Sequence, residues 1–166
     1  MKNKKYNLAD NTIGPSDYKV MENFLKARKY LNQSKYTRNF EKKFSKFLSS
    51  KYSIFVNSGS SANLLMAQVL LEGDYLKNKV VVLPAVSWST TVSPFLQLGY
   101  KTILCDCDKV NLGLCTDNLE EICKKYNPGL VLIVNVLGHS NNNEKIKKLK
   151  KKYKLILIED NCEILG

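Results

Sequence analysis

Along most of the chain, short runs of apolar residues alternate with longer segments in which apolar residues recur every three or four positions. The short runs are typical of buried β-strands, and the spaced pattern is typical of amphipathic helices. The runs predict strands at 52–56, 79–84, 101–106, 129–136 and 154–160. The segments between them predict helices near 61–72, 88–98, 117–126 and 143–152. Asp117 and Glu120 are expected to mark the start of the third of these helices.

Strands that alternate with helices indicate a parallel sheet that is covered by helices on both faces. The runs are almost continuously apolar, as strands buried on both faces usually are. We therefore expect an α/β domain over residues 51–166, with three αβα layers and a mainly parallel sheet.

Two more helical patterns precede this region. Residues 16–31 predict a helix that begins at Ser16, with an apolar stripe of Val20, Phe24, Ala27 and Leu31. After a polar break, a second helix carries Phe40, Phe44, Phe47 and Leu48. We expect residues 1–50 to form an N-terminal helical arm.

The formal net charge of +11 over 166 residues raises the hypothesis of nucleic-acid binding. Much of the charge lies in residues 144–154, where Ile146, Leu149 and Tyr153 recur at helical spacing among lysines. This pattern predicts an amphipathic helix with a solvated basic face. Only two of the 26 cationic residues are Arg, which phosphate-binding and base-reading surfaces favour. A charged surface is the better interpretation, and we expect no nucleic-acid partner, although an anionic ligand fits the charge.

The cysteines and the lone histidine argue against a metal site and against a disulfide-bonded protein. The five cysteines contain no C-x-x-C pair, and Cys105 and Cys107 alternate along a predicted strand, which places their thiols on opposite faces. We expect reduced, mostly buried thiols, with neither zinc nor disulfides. His139 is the only histidine, and we expect it in a loop and predict no metal site. Without an apolar leader or a run of roughly 20 apolar residues, a cytoplasmic protein with no membrane partner is expected.

Two unusual groups of residues follow predicted strands, where open parallel sheets bind ligands. Gly59, Ser60 and Ser61 stand between a strand and a helix, and the N-terminus of a helix attracts phosphate. A serine N-cap explains these residues equally well, because short Gly/Ser signals are unspecific. Trp88, the only tryptophan, follows the next strand, although a lone tryptophan is more often part of the core.

A third group, Glu159 and Asp160, ends the last apolar strand. A carboxylate there can cap a helix, accept a proton from a ligand or bind a metal. A phosphate cradle, a flat aromatic side chain and a carboxylate together describe a site for a planar, phosphorylated, basic heterocycle. Pyridoxal phosphate fits, since a carboxylate that keeps the pyridine nitrogen protonated makes the ring an electron sink.

The chain resembles the DegT/DnrJ/EryC1/StrS family of sugar-nucleotide aminotransferases, which are fold type I pyridoxal-phosphate enzymes. The resemblance runs almost end to end, over five segments in order: KYLNQSKYTRNFEKKFSKFL, VNSGSSANLL, VVLPAVSWSTTVSPFLQLGYKTILCDCD, VNVLGHSNN and IEDNCEILG. This ordered series is far more specific than any single motif. It implies the large-domain fold of PLP-dependent transferases, in the type I aminotransferase-like form.

Position by position, the resemblance implies a set of cofactor-binding residues: Gly59, Ser60, Ser61, Trp88, Asp160 and Glu163. The two serines would contact the phosphate, Trp88 would stack on the ring, and Asp160 would be the catalytic partner of the pyridine nitrogen. Glu163 falls where most aminotransferases of the family carry Gln near the phenolic oxygen of the cofactor. Glu163 at this place, together with the segments SGSSAN and WSTT, makes the chain more similar to the 4-keto-6-deoxy-sugar 3-dehydrases of the family. In those enzymes a His replaces the Schiff-base lysine, and the cofactor works as pyridoxamine phosphate.

The chain also differs from the family pattern in the position of the Schiff-base lysine. The family's Schiff-base lysine lies on a strand after the aspartate motif, and no lysine of this chain occupies that place before Gly166. The Schiff-base Lys or His is therefore expected beyond the chain end, and the family's C-terminal domain is expected to be absent. We expect residues 51–166 to be an incomplete PLP-binding large domain, inactive alone.

The resemblance implies a PLP-dependent aminotransferase that passes an amino group from a donor such as glutamate to a nucleotide-linked keto-deoxysugar. Its products would enter polysaccharide or lipopolysaccharide biosynthesis, and the complete enzyme would be a homodimer. One alternative is a PMP-dependent 4-keto-6-deoxy-sugar 3-dehydrase of the same fold. The other is a non-catalytic α/β module for nucleotides or nucleic acid, whose binding would be lost at moderate salt.

Overall fold

Residues 11–164 are described by the computed structural model, and four strands among them form one parallel sheet. The strands are β1 (Val80–Pro84), β2 (Lys101–Cys105), β3 (Leu130–Val134) and β4 (Ile156–Asp160). Their order across the sheet is β2-β1-β3-β4. The register pairs Pro84 with Cys105 and Val134 with Asp160, so the carboxyl ends of the strands lie along one edge of the sheet.

Six α-helices occur in the described part of the chain. They are α1 (Pro15–Lys26), α2 (Lys35–Phe47), α3 (Gly59–Glu72), α4 (Ser89–Gln97), α5 (Thr116–Tyr126) and α6 (Asn143–Tyr153). Helices α3 and α4 pack against one face of the sheet, and α5 and α6 pack against the other. The predicted three-layer αβα fold with a parallel sheet is confirmed.

The alternation of side chains along β1 explains why both faces of the sheet carry a core. Val81 and Leu83 pack with Ala67 of α3 and Phe95 of α4. Val82, between them, packs in the cluster that α5 and α6 complete. Successive side chains of a strand point to opposite faces, so a continuously apolar run fills both layers.

The strand order places a crevice at the carboxyl edge of the sheet. The chain leaves β1 through α4 toward β2, and it leaves β3 through α6 toward β4 on the other side. These two connections diverge, because β1 and β3 are neighbours in the sheet. Such a switch point is where open α/β sheets bind ligands.

The chain divides into two compact units, one ending at Phe55 and the other beginning at Val56. The first unit contains α1 and α2, neither of which has a buried residue. Within it, the rings of Phe40 and Phe44 stack with centroids 5.4 Å apart. The Glu41 carboxylate accepts the N–H of Phe55 at 2.9 Å. The second unit contains the sheet and helices α3 to α6.

One predicted strand is not formed. Segment 52–56 belongs to no strand, and its side chains Tyr52, Ile54 and Phe55 are exposed. Its apolar pattern suits a strand, but a strand requires a neighbour whose backbone groups complete the hydrogen bonds. The described residues offer it no such neighbour, and the prediction of a fifth strand is wrong for this part of the chain.

The first helix also differs from its predicted form. It begins at Pro15 rather than at Ser16, because proline is preorganised for the first helical position. It ends at Lys26, so Leu31 lies outside the helix and is exposed. The predicted apolar stripe over 16–31 is therefore wrong in its second half.

The helices of the second unit follow the predicted pattern more closely. Helix α5 begins at Thr116, one residue before the predicted start at Asp117, and no side-chain hydrogen bond caps it. In α6, Ile146 and Leu149 are buried while the intervening lysines are exposed, which confirms the amphipathic basic helix.

The five cysteines are unpaired and vary in burial. Cys105 and Cys123 are buried, Cys107 and Cys115 are half-buried, and Cys162 is exposed. The expectation of mostly buried thiols is therefore wrong. Among residues 11–164, no three or more potential metal ligands come together. None of the described helices combines the length and apolarity needed to cross a membrane.

Candidate functional site

A cleft of about 460 Å³ opens at the carboxyl edge of the sheet. Its walls are the first turns of α3 and α4, the ends of β3 and β4, and the loops that follow these strands. The residues named from the sequence that line it are Gly59, Ser60, Trp88, Asp160 and Glu163. Ser61 lies next to Ser60 in α3 but outside the lining, as do Glu159 and His139.

The first turn of α3 presents unpaired backbone donors to the cleft. The helix is capped by Ser58, whose Oγ accepts the N–H of Ser61 at 3.2 Å. The cap is therefore neither Ser60 nor Ser61. The N–H groups of Gly59 and Ser60 have no acceptor among the described residues. Two free donors at the positive end of a helix dipole form an arrangement that attracts anions.

Gly59 keeps the space in front of these donors open. A Cβ built on this residue would meet no atom within 4 Å, so packing within the described chain does not require glycine here. The absence of a side chain instead leaves the end of the helix accessible to a molecule in the cleft.

The carboxylate of Asp160, at the end of β4, is held by three groups. Its Oδ2 accepts the side-chain amide of Asn63 at 3.0 Å and lies 3.4 Å from the hydroxyl of Thr91. Its Oδ1 accepts the N–H of Cys162 at 3.2 Å. Glu159, one position earlier, is exposed and lies outside the lining, because side chains alternate along a strand. The carboxylate that faces the cleft is that of Asp160.

Trp88 occupies the N-cap position of α4, and 75% of its surface is exposed. The alternative that it belongs to the core is therefore wrong. An indole ring at the rim of a cleft presents a large, flat apolar surface on which a planar ligand can stack.

Glu163 and Cys162 form the wall of the cleft that follows β4. The Glu163 carboxylate accepts the N–H of Leu137 in the loop after β3. Leu137 has a left-handed backbone with φ of 52°. Partial desolvation of the thiol, together with the neighbouring Asp160 carboxylate, raises the pKa of Cys162. The thiol is therefore protonated at neutral pH.

Sequence reasoning missed Asn63 and Thr91, which are polar and almost fully buried. Each lies within a motif that was singled out for other residues, SGSSAN or WSTT. A polar residue on the buried side of a helix signals a hydrogen-bond partner. That partner could be identified only from the fold, because Asp160 lies 97 positions beyond Asn63 in sequence.

Comparison with known proteins identifies the family to which the chain belongs. The family model of the DegT/DnrJ/EryC1/StrS aminotransferase family matches residues 11–166. The chain belongs to this family. A relative from Escherichia coli O55:H7, a GDP-4-keto-6-deoxy-D-mannose 3-dehydratase, is 35% identical over 97% of this chain and 42% of its own length. A 3-oxo-glucose-6-phosphate:glutamate aminotransferase from Bacillus subtilis is 32% identical over 79% of this chain and 29% of its own length.

A solved structure of the family has the same fold as the chain. It is a GDP-4-keto-6-deoxymannose-3-dehydratase with a trapped PLP-glutamate geminal diamine, 34% identical, with a TM-score of 0.83. The match covers 98% of this chain and 42% of that protein. The chain thus spans about two fifths or less of the length of these relatives.

Proposed function

We propose that the cleft binds pyridoxal 5′-phosphate or pyridoxamine 5′-phosphate. We further propose that residues 51–166 are the cofactor-binding part of an enzyme acting on nucleotide-linked keto-deoxysugars, preceded by an arm over residues 1–50. The observation that carries the proposal is that Asp160, the exposed Trp88 and the free end of α3 line one cleft. Membership of the aminotransferase family and the PLP adduct in a related structure support it.

The phosphate is assigned to the first turn of α3. The N–H groups of Gly59 and Ser60 are available to its oxygens, and Ser60 itself lines the cleft. Ser61 can add only its hydroxyl, because Ser58 already accepts its N–H. This arrangement orients the phosphate through backbone donors rather than through a cationic side chain.

The ring of the cofactor is assigned to the space between Trp88 and Asp160. The indole covers one face of the ring and excludes water from it. The Asp160 carboxylate holds a proton on the pyridine nitrogen, and Asn63 and the Cys162 N–H keep this carboxylate in place. When bound, the cofactor supplies an electron sink for bonds broken at the substrate carbon.

Glu163 is assigned to the region of the cofactor's phenolic oxygen. A carboxylate only accepts hydrogen bonds, whereas the Gln that is usual in the family can also donate. Glu163 can therefore contact that oxygen directly only if a proton lies between them. One of its oxygens is already committed to the N–H of Leu137, which fixes the direction of the side chain.

The proposed reaction transfers an amino group from a donor such as glutamate to a nucleotide-linked keto-deoxysugar, for polysaccharide or lipopolysaccharide biosynthesis. The name of the GDP-4-keto-6-deoxy-D-mannose 3-dehydratase supports the nucleotide-linked keto-deoxysugar, and the name of the Bacillus subtilis aminotransferase supports glutamate as the donor. We propose a homodimer for the complete enzyme. A cytoplasmic setting agrees with the five unpaired cysteines, since thiols persist in reducing compartments.

A second candidate is a PMP-dependent 4-keto-6-deoxy-sugar 3-dehydrase. It is favoured by the 35% identity to the Escherichia coli 3-dehydratase and by Glu163 in place of Gln. The two candidates give different products from the same nucleotide-linked keto sugar. One replaces the keto oxygen by an amine, and the other removes the hydroxyl at carbon 3, which mass spectrometry of the sugar distinguishes.

The cofactor proposal predicts that pyridoxamine phosphate quenches the fluorescence of Trp88. Because Trp88 is the only tryptophan of the chain and lines the cleft, its emission reports binding directly. Pyridoxamine without phosphate should bind at least about tenfold more weakly, because charge-assisted hydrogen bonds to the helix end are lost. Fluorescence titration of the purified chain measures both affinities.

The matched control compares two aspartates at strand ends. Asp160→Asn should weaken pyridoxamine phosphate binding, whereas Asp106→Asn should not. Asp106 follows β2 and likewise accepts the N–H of a nearby residue, but it lies outside the cleft lining. Emission that stays unquenched at millimolar pyridoxamine phosphate, or equal affinity for the two variants, would contradict the assignment.

A further inference from the structure

Asn63 occupies a position that is unfavourable for its side chain unless it has a specific partner. It lies in α3 with 4% of its surface exposed. Asparagine is a poor helix former, and burial of its amide without a hydrogen bond is costly. Its amide nitrogen donates to Oδ2 of Asp160 at 3.0 Å. The partner that accounts for this residue is therefore the carboxylate of the proposed site.

Thr91 approaches the same carboxylate oxygen from a different helix. It lies in α4 with 2% of its surface exposed, and its hydroxyl is 3.4 Å from Oδ2 of Asp160. This distance is long for an O–H···O hydrogen bond, so its contribution is weaker than that of Asn63. The two donors still converge on one oxygen, and together they select one orientation of the carboxylate plane.

We propose that Asn63 is a positioning residue that fixes the orientation of the Asp160 carboxylate relative to the phosphate end of the cleft. The inference rests on the proposed function. Asn63 lies four residues after Gly59, which corresponds to about 6 Å along a helix axis. One rigid helix therefore carries both the phosphate donors and the amide that holds the carboxylate.

The chemistry of the hydrogen bond explains how Asn63 acts through Asp160. The amide donates to Oδ2 of Asp160 and so holds the carboxylate in one orientation, and a carboxylate held toward the pyridine nitrogen keeps a proton there. Without the amide, only the longer contact from Thr91 and the N–H of Cys162 hold the carboxylate in this orientation. We expect Asn63→Leu to weaken pyridoxamine phosphate binding by about tenfold, as loss of a hydrogen bond to a charged group does.

The test uses the full chain and pyridoxamine phosphate labelled with ¹⁵N in the ring. The ¹⁵N chemical shift of the bound ring reports directly whether the nitrogen is protonated. For Asn63→Leu we expect a shift toward the unprotonated value, and for Thr91→Val a smaller shift in the same direction. The matched control is Gln68→Leu, since Gln68 is in the same helix and its amide also donates to a carboxylate, that of Glu72, at 2.6 Å. Gln68 lies outside the cleft lining.

The outcomes separate this inference from the proposed function. If Asp160→Asn leaves the ring nitrogen shift unchanged, the proposed function itself is wrong. If Asp160→Asn changes the shift but Asn63→Leu matches the Gln68→Leu control, only the positioning role is wrong. A thermal melt accompanies each variant, and Asn63→Ala replaces Asn63→Leu if the larger side chain prevents folding. The alanine variant removes the same donor from a helix that alanine favours.

Discussion

The buried thiols of Cys105 and Cys123 make the stability of the fold depend on pH. Burial, with a smaller contribution from nearby groups that include Asp106, raises the pKa of Cys105 to about 12. Burial likewise raises the pKa of Cys123 to about 11. In the unfolded chain both thiols ionise near pH 9. Above that pH the unfolded state gives up protons that the folded state retains, so the free energy of unfolding falls as pH rises.

We predict that Cys105→Ala reduces this alkaline loss of stability. Each buried thiol contributes a loss of about 1.4 kcal/mol per pH unit between its unfolded and folded pKa values. Urea denaturation at pH 8 and at pH 10.5 measures the difference for each variant. Cys107→Ala, which changes a half-buried thiol, is the control. Equal pH dependence of the original chain and Cys105→Ala would show that this thiol ionises as easily in the folded state as in the unfolded one.

Single residues also show where prediction from sequence stops. Asp160 and Trp88 could be named because each follows a recognisable apolar run, and ligands gather at such strand ends. The exposure of Trp88 could not be predicted, since an indole is compatible with both a core and a rim. The role of Asn63 was hidden because its partner is defined by the fold rather than by a nearby motif.

At the scale of elements, a buried amide connects the loop before α6 to two other segments. The side chain of Asn141 donates to the carbonyl of Val134 at 2.8 Å and to Oδ1 of Asn135 at 3.0 Å. Its own Oδ1 accepts the N–H of Leu114 at 2.8 Å. This one residue therefore ties the end of β3 to the loop that precedes α5.

We predict that Asn141→Ala lowers the free energy of unfolding by about 2–4 kcal/mol, because it leaves buried backbone groups without partners. The matched control is Asn142→Ala. Asn142 is the exposed N-cap of α6 and accepts the N–H of Lys145 at 3.2 Å. Loss of this cap should lower stability by only about 1 kcal/mol. Chemical denaturation measures the free energy of unfolding of both variants. Similar losses would show that the hydrogen bonds of Asn141 stabilise the fold no more than the cap at Asn142 does.

Elements differed in how far the sequence alone could define them. Strands β1 to β4 were predictable because each combines a continuous apolar run with flanking helices that bury both faces. Segment 52–56 has a similar apolar content, but a strand also depends on a neighbour, which hydrophobic pattern does not specify. The end of α1 at Lys26 was missed because an apolar stripe can continue past the last helical hydrogen bond.

For the whole molecule, the net charge of +11 makes a prediction about polyanions. We expect a labelled oligonucleotide to bind at low salt and to dissociate between about 50 and about 200 mM salt, since such binding depends on counterion release. Pyridoxamine phosphate affinity should change far less, because a single phosphate is involved. Fluorescence anisotropy and Trp88 fluorescence measure the two affinities in parallel.

The control for this prediction reverses charge on the basic face of α6. Lys147 and Lys151 are exposed and one helical turn apart, and their replacement by Glu should reduce oligonucleotide binding without affecting the cleft. Oligonucleotide binding that persists at about 200 mM salt and depends on base sequence would favour the nucleic-acid module over the enzyme.

The hydrogen bond between Asn63 and Asp160 has a consequence for biosynthesis, because it joins residues 97 positions apart. Contacts between distant residues require closure of a long loop and form more slowly than local helices or adjacent strands. Helix α3 emerges from the ribosome long before the residue that its amide will hold. During synthesis, the phosphate end of the cleft can therefore exist before the carboxylate end does. Capture of the cofactor is expected to be a late event, which follows translation of β4 rather than guiding the folding of α3.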